Sequence, residues 1–259
     1  MNKSIKRSLP TDTPFARLPF GGLTSNVLRV IAVMLMVTDH IWATYMSFGN
    51  WMTYLGRLAF PIFAFQLAEG FLHTSDVKRY AKRLFLFALV SEIPFDLFCV
   101  STWLNPFHQN VMFTLLLGLF AIMTIDNAKK NRKPKNIVVS ILLLGAIFVA
   151  AYFGFVDYGI WGVATVLVFY LLRDFPFAWI AQLVSMVVIH VFLFEGQVFS
   201  LELFGRTFEI STQGFAVFSL VPIWLYNGKK GRPSKVMQYG SYAFYPVHMI
   251  VLYLIKHFA

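Results

Sequence analysis

An arginine and a histidine in one apolar stretch have the types and the spacing to do chemistry together. In LRVIAVMLMVTDHIW, Arg29 and His40 are eleven residues apart, close to three turns of an α-helix. They would share one helix face, separated by roughly 16 Å along the axis. A guanidinium pairs well with phosphate oxygens, and an imidazole can act as a general base or a nucleophile. The structural alternative is that Arg29 only anchors the helix at a membrane surface and His40 packs against a carbonyl.

Several carboxylates could assist that histidine. Asp39 is its sequence neighbour but points about 100° away around a helix, so Asp39 is not expected to orient His40. A carboxylate from another stretch, Glu92, Asp96 or Asp157, is the better candidate for that task. Helix capping is the alternative role for these aspartates.

Three further polar groups lie in or beside apolar stretches. Asn110 and Arg57 are candidates for stabilising an oxyanion. The alternative role is helix capping for Asn110 and a structural ion pair for Arg57. His248 follows a proline and is a candidate for contact with a substrate. The sequence has no HExxH motif, P-loop, GxGxxG or nucleophile elbow, so we predict no metal site and no nucleotide-binding fold of those kinds.

The composition indicates which elements must position these groups. Hydrophobic residues make up 58% of the 259 residues and charged residues only 13%, about half the usual charged share of a soluble domain. This balance excludes a soluble enzyme and a nucleic-acid-binding module despite the net charge of +10. A single cysteine, Cys99, excludes an internal disulfide. The chain is therefore predicted to be a multi-pass protein of a cell membrane.

The predicted fold is an all-α polytopic membrane protein with about nine transmembrane helices, because apolar stretches of about the required length recur along the chain. They are far longer than the strands of a membrane barrel. The stretches are 23–45, 52–73, 80–100, 108–126, 136–154, 158–172, 176–195, 213–227 and 236–257. Residues 196–212 alternate in polarity and predict a short hairpin or an interfacial segment.

The basic residues predict the orientation. If the N-terminus is cytoplasmic, all but three of the 22 lysines and arginines lie on the inner side, the exceptions being Arg57, Arg206 and Lys256. The C-terminus is then extracytoplasmic, and the positive charge serves topology and attraction to anionic membrane lipid. Residues 1–22 form a polar leader that is predicted to be cytoplasmic, followed by a single membrane domain over 23–259.

Six segments together resemble the TraX family of bacterial membrane proteins. In chain order they are LRVIAVMLMVTDHI, GRLAFPIFAFQLAEGFLHT, LFALVSEIPFDL, NVMFTLLLGL, DYGIWGV and YAFYPVHMIVLYLI, and they cover about 28–255. The family takes its name from a conjugation protein associated with N-terminal acetylation of pilin, and it looks related to larger transmembrane acyltransferases. The chain departs from the family pattern in its longer leader and in Gln66, where an apolar residue is expected.

The resemblance implies a function. Those acyltransferases carry a basic residue, ten residues and then a histidine in their first span, which Arg29 and His40 match. It implies that His40 is catalytic and that Arg29, with Arg57, contacts the donor. The other motif members are candidates without individual roles: Asp39, Glu92, Asn110 and Asp157 for catalysis, and Asp96 and His248 for substrate binding.

The resulting hypothesis is an acetyltransferase of the bacterial inner or plasma membrane. It would take the acetyl group from cytoplasmic acetyl-CoA and give it to an amine or hydroxyl of a pilin-like peptide or a glycan, with no metal and no nucleic acid involved. Two alternatives stay open at this point. The buried histidines and carboxylates could serve a proton-coupled transporter or channel, or the protein could be a non-catalytic assembly factor for a surface peptide or pilus.

Overall fold

The structure is a computed structural model that describes residues 22–45, 48–203, 205–232 and 235–258. Apart from Gly22, the predicted leader lies outside these residues. The α-helices of the described part are α1 Ser25–Thr44, α2 Trp51–Gly56, α3 Ala59–His73, α4 Val77–Val100, α5 Val111–Lys130, α6 Pro134–Phe153, α7 Gly159–Leu171, α8 Ala178–Val187, α9 Leu220–Trp224 and α10 Lys235–Phe258.

Each of the nine predicted apolar stretches is helical. The second is divided into α2 and α3, α8 continues as the π-helical turn Val188–Leu193, and the 3₁₀ helix Thr212–Ser219 leads into α9. The predicted hairpin is present as strands β1, Val198–Leu203, and β2, Arg206–Ser211, paired antiparallel.

Fewer segments meet the length and composition of a membrane span than are helical. Within the described residues, four helical segments are long and apolar enough to cross a membrane: Ser25–Thr44, Trp51–His73, Val111–Lys130 and Pro134–Phe153. The segments Gly159–Leu171, Ala178–Leu193 and Thr212–Trp224 are apolar but shorter. The protein is thus an α-helical membrane protein. The number of nine spans, the cytoplasmic N-terminus and the extracytoplasmic C-terminus remain predictions.

The bundle core lies between α3, α5 and α7. Ile62, Leu119, Ile122, Val163 and Val166 are all fully buried there. Most of α6, by contrast, is exposed, as expected for an apolar helix that faces lipid. Because lipid tails are as apolar as these side chains, close packing holds such helices together rather than removal from water.

Basic loops gather at one end of the bundle, which we call the basic end. The start of α1 is tied there to the segment after α9, since Leu23 N donates to Leu225 O at 2.7 Å and Asn227 N to Leu23 O at 2.9 Å. Ser25 N likewise donates to the carbonyl of Lys229 at 2.9 Å. These bonds place the lysines after α9 beside the first turn of α1.

The opposite end, which carries the hairpin, is held by a second backbone bridge. Asp157 N donates to Gln109 O at 2.8 Å, and Gln109 N donates to Phe155 O at 3.0 Å. The loop before α5 is thereby fixed to the turn before α7. Several predicted site residues lie on these two connections.

Candidate active site

A pair of histidines joins the first and last helices near the hairpin end. His40 Nδ1 on α1 lies 2.6 Å from His248 Nε2 on α10. The two rings are parallel to within 2°, with centroids 4.9 Å apart. His248 is buried, and His40 is partly buried. The two residues are 208 positions apart in sequence.

The surrounding hydrogen bonds fix the protonation pattern of the neutral pair. His248 Nδ1 lies 2.8 Å from the carbonyl oxygen of Phe244, which can only accept, so Nδ1 carries the hydrogen. In neutral His248 the other nitrogen, Nε2, is then an acceptor. It accepts from His40 Nδ1–H, which leaves the lone pair of His40 on Nε2. Of the two unprotonated nitrogens in the neutral pair, His248 Nε2 is used within it, and His40 Nε2 is left without a hydrogen-bond partner among the described residues.

Aromatic side chains hold the two rings from the sides. His248 stacks on Phe244 with centroids 5.1 Å apart and planes 9° apart. Phe98 of α4 lies 5.2 Å from the His40 ring, and the buried Tyr245 lies 6.5 Å from it. This packing limits rotation of the imidazoles, so the free nitrogen is preorganised.

Asp39 has a different partner from its sequence neighbour. Its Oδ1 lies 3.6 Å from Arg57 Nη2, and Arg57 also donates to Thr53 Oγ1 at 2.8 Å. The carboxylate packs so closely on Gly56 that a Cβ there would lie 2.2 Å from Asp39 Cβ. Asp39 therefore holds Arg57 at the break between α2 and α3. Arg57, which was predicted to contact the donor together with Arg29, does not line either of the cavities beside Arg29 that are described below.

Asn110 is fully buried and acts as a helix cap. Its Oδ1 accepts from Met112 N at 3.0 Å, and its Nδ2 donates to Ala88 O at 2.9 Å and to Glu92 Oε2. Its amide hydrogens are thus already engaged. Glu92 Oε1 is buried without a hydrogen-bond partner among the described residues.

The remaining two aspartates hold loops at the hairpin end. Asp96 is fully buried, and its Oδ2 accepts from Asn105 N at 2.8 Å. Asp157 Oδ1 lies 3.8 Å from His108 Nε2, and this neighbouring carboxylate raises the pKa of His108. In the described residues, the side chain hydrogen-bonded to His40 is thus His248 rather than Glu92, Asp96 or Asp157.

His190 forms a separate site. It is fully buried; its Nε2 lies 3.1 Å from Thr165 Oγ1, and its Nδ1 lies 3.3 Å from Gln213 Nε2. Thr165 Oγ1 donates to Trp161 O at 2.8 Å, so it accepts from His190 Nε2–H, while the Gln213 amide donates to Nδ1. Both ring nitrogens are satisfied.

A cavity of about 390 Å³ opens at the basic end. Arg29, Arg83 and Lys230 line it, and none of the three has a carboxylate within ion-pair distance in the part of the chain that the structure describes. Glu69 also lines it but is paired with Arg173, Nε to Oε1 at 3.2 Å. The cavity therefore has unbalanced positive charge, which suits an anionic ligand.

An inner cavity of about 110 Å³ adjoins it. Both cavities are lined by Arg29, Gln66, Tyr80 and Tyr242. Neither is lined by His40 or His248. Tyr242 is six residues before His248 on α10, about 9 Å along the helix.

The sequence interpretation found Arg29 but missed most of the cavity around it. Arg83 was counted only as a basic residue of a loop, and Tyr80, Tyr242 and Lys230 carried no pattern that distinguished them. These side chains come from three chain segments that meet only in the fold. A polar or aromatic residue one or two turns inside an apolar helix is the signal that could have marked Tyr80 and Tyr242.

The bundle, its apolar helices and its buried polar groups define an α-helical membrane protein, and comparison with known proteins identifies its family. The family model described as TraX protein matches residues 24–256, so the chain belongs to the TraX family. This confirms the resemblance read from the sequence. No solved structure matches the chain.

One curated relative extends this result. The chain is 31% identical over 252 residues to a Dichelobacter nodosus protein described as "Probable fimbrial assembly protein FimC, serogroup H1". The match covers 89% of this chain and 95% of the relative. The similarity therefore extends over nearly the whole of both proteins.

Proposed function

We propose that this TraX-family protein is a membrane-embedded acetyltransferase that moves an acetyl group from cytoplasmic acetyl-CoA to an amine or hydroxyl of a peptide or glycan. The observation that carries the proposal is the histidine pair, in which the bond to His248 leaves a lone pair on His40 Nε2. A neutral, oriented imidazole of this kind is the usual form of a general base.

The cavity at the basic end supports binding of the donor. Three cations line it, Arg29, Arg83 and Lys230, and none has a carboxylate partner within the described residues, so they suit the phosphates of coenzyme A. The predicted orientation places this end in the cytoplasm, where acetyl-CoA is found. Arg29 and His40 lie on the same helix face, so a donor with its phosphates at Arg29 would extend along α1 toward His40. The proposal requires a path of about 9 Å to open between Tyr242 and His248.

The transfer balances with these residues alone. The acceptor nitrogen or oxygen attacks the thioester carbonyl carbon while His40 Nε2 takes its proton. The tetrahedral intermediate collapses, the carbon–sulfur bond breaks, and the leaving thiolate recovers the proton from His40 to give free coenzyme A. Throughout, the Nδ1–H of His40 stays bonded to His248. A covalent acetyl-His40 intermediate is the alternative route through the same nitrogen.

Arg57 is the better of the two candidates for stabilising the oxyanion. The amide hydrogens of Asn110 are donated to Ala88 and Glu92, whereas Arg57 Nε has no hydrogen-bond partner within the described residues. We assign Asp39 to holding Arg57 in place. Asn110, which binds Glu92 and caps α5, is assigned a supporting role.

The acceptor would approach from the hairpin end. There, Asp96 and Asp157 anchor two loops, and we assign them to shaping the acceptor site. The relative's description as a probable fimbrial assembly protein favours a fimbrial or pilin-like subunit as acceptor over a glycan.

The test uses purified protein in nanodiscs, acetyl-CoA labelled in its acetyl group, and a synthetic peptide with a free N-terminus. We expect free thiol to appear at the same rate as label in the peptide. A peptide with a blocked N-terminus and neither lysine nor hydroxyl side chains is the matched control and should remain unlabelled. Proton or solute flux in proteoliposomes without any thiol release would instead support the transporter.

The relative's name favours one other candidate, a non-catalytic assembly factor. Such a protein would support fimbrial assembly without consuming acetyl-CoA. It would also tolerate replacement of both His40 and His248, provided that the bundle still folds. Assembly in cells that carry the doubly substituted protein therefore separates the two candidates.

A further inference from the structure

The two cavities at the basic end differ in character and meet at a polar neck. The outer one is lined mainly by charged, amide and hydroxyl side chains. The inner one adds an apolar lining of Phe63, Leu67, Leu84, Met112 and Leu115. The neck consists of the four side chains common to both, Arg29, Gln66, Tyr80 and Tyr242. A ligand that fills both cavities must be anionic at one end and apolar at the other, and its middle must pass the neck.

Gln66 presents an unused acceptor at this neck. Its Nε2 donates to the backbone carbonyl of Ser25 at 2.6 Å. Because a carbonyl oxygen can only accept, the amide nitrogen faces Ser25 and Oε1 points away from it. Among the residues that the structure describes, none donates a hydrogen bond to Gln66 Oε1. This oxygen is also accessible, because it is absent from the set of fully buried atoms that have no hydrogen-bond partner. Gln66 is partly exposed, so a ligand in the neck can reach it.

The orientation of that amide does not depend on a ligand. The bond to Ser25 ties α3 to the first turn of α1, two elements that the backbone bridge near Lys229 also holds. The carbonyl of Gln66 is therefore preorganised, and a ligand donor would meet it without first paying the entropy of fixing the side chain. A ligand without a hydrogen-bond donor at its middle would gain nothing from this oxygen.

We propose that Gln66 is a specificity-determining residue whose Oε1 accepts a hydrogen bond from an amide N–H in the middle of the donor. The site thereby selects a phosphorylated ligand with an amide-containing arm over a phosphorylated lipid, which shares the anionic head and the apolar tail but lacks the amide. This inference rests on the proposed function, in which the donor is acetyl-CoA and the arm is its pantetheine.

The test is a double-mutant cycle in which one change is made in the protein, at Gln66, and the other in the ligand. The dissociation constant of each ligand is measured for the whole protein in nanodiscs of zwitterionic lipid. The ligands are coenzyme A and two analogues, each with one arm amide replaced by an ester. We expect wild type to bind one analogue about fivefold more weakly than coenzyme A, the size of one neutral hydrogen bond. Gln66→Met should bind coenzyme A about fivefold more weakly and should not distinguish it from that analogue, because the same bond is already lost.

Controls separate this effect from general damage. Gln197→Met makes the same change at an exposed glutamine that lines neither cavity and should bind coenzyme A within twofold of wild type. Melting temperature reports whether Gln66→Met still folds. If that variant unfolds, the wild-type preference for coenzyme A over the analogue decides the question, since equal affinity for all three ligands overturns the proposal.

A further set of measurements tests whether a membrane lipid competes for the two cavities. Replacing a third of the zwitterionic lipid by phosphatidylglycerol should leave the affinity for coenzyme A within twofold. If phosphatidylglycerol instead displaces coenzyme A equally from wild type and Gln66→Met, and the amide analogues bind normally, the cavities hold a lipid and the proposal is wrong. A lost amide effect with intact acetyl transfer contradicts only the role of Gln66. An intact amide effect with no acetyl transfer contradicts only the proposed reaction.

Discussion

Two histidine sites near the hairpin end show how the same residue type serves different purposes. His190 gives its Nε2–H to Thr165 and accepts from Gln213 at Nδ1, so neither nitrogen is left over. The pair of His40 and His248 ends in a nitrogen with no partner from the described residues. His190 is fully buried, whereas His40 is partly buried. Under the proposed function, the number of hydrogen bonds that each ring can still make separates a structural histidine from a reactive one.

This difference has an energetic basis. A buried imidazole with both nitrogens satisfied gains from staying neutral and fixed, and removing it strands its partners. A ring with one bonded nitrogen is oriented and still able to exchange a proton at the other. Replacing His190 should therefore damage folding more than turnover, whereas replacing a member of the pair should damage turnover more than folding.

Among the changes that test this comparison, replacing His248 should have the largest effect, a loss of turnover. His248 acts as a positioning residue for His40. We expect His248→Ala to lower kcat by roughly 10²–10³-fold, the range of a misplaced general base, with the KM for acetyl-CoA little changed. His248→Gln should recover part of the loss, since its side-chain oxygen can accept from His40 Nδ1–H. Steady-state kinetics on both variants check this. A merely structural role would give a similar loss for both, matched by a lower melting temperature.

The converse is expected at His190. His190→Ala strands the side chains of Thr165 and Gln213 and leaves a cavity, which should lower the free energy of unfolding by about 3 kcal/mol. Turnover per folded molecule should stay within about twofold of wild type. Thermal denaturation combined with active-site titration measures both quantities. A large loss of turnover at unchanged stability would show that His190 takes part in the reaction.

A smaller effect is expected where α1 meets α2. Gly56→Ala would force a Cβ into Asp39, at 2.2 Å from its Cβ, so α1 must shift and carry His40 with it. We expect a loss of stability of about 1–3 kcal/mol together with reduced turnover. Gly145→Ala is the matched control, because a Cβ there meets nothing within 4 Å and alanine favours the helix by about 1 kcal/mol. Equal melting temperatures for the two variants would contradict the predicted clash.

The smallest effect concerns His108, a histidine with one carboxylate partner and a side chain 45% exposed. The nearby carboxylate of Asp157 raises the pKa of His108 in the folded protein, so the contribution of this ion pair to stability is complete below the unfolded pKa of about 6.5. That contribution disappears as the pH rises through the folded value. The difference in melting temperature between wild type and His108→Gln should be largest near about pH 5.5 and should fade toward about pH 9. A difference that grows with pH would reverse the sign of this interaction.

Much of the fold could be predicted from local patterns. Long apolar runs predicted every helical stretch, because a segment in lipid must satisfy its own backbone hydrogen bonds. The alternation in residues 196–212 predicted a short hairpin or an interfacial segment, and the hairpin is present. The division of α2 from α3, the π-helical turn after α8 and the 3₁₀ helix before α9 were not predicted, since they depend on contacts with neighbouring helices.

The candidate site was only half predictable, for a similar reason. The spacing of Arg29 and His40 lies within one helix, and a 3.6-residue period is enough to place both on one face. His248 lies 208 positions from His40, and nothing local to either residue indicates the contact. The pairing of Asp39 with Arg57 is likewise a product of packing. The sequence therefore indicated the candidate reactive group, whereas its partner could be identified only in the fold.

The most direct test of the central claim compares wild type with His40→Ala in acetyl transfer to the peptide, alongside the affinity of each for coenzyme A. The phosphates should contact Arg29 at the other end of α1, so we predict that His40→Ala binds coenzyme A as wild type does and that its transfer rate falls to background. Full transfer by a folded His40→Ala protein would show that the unpartnered nitrogen is not the base and would contradict the account.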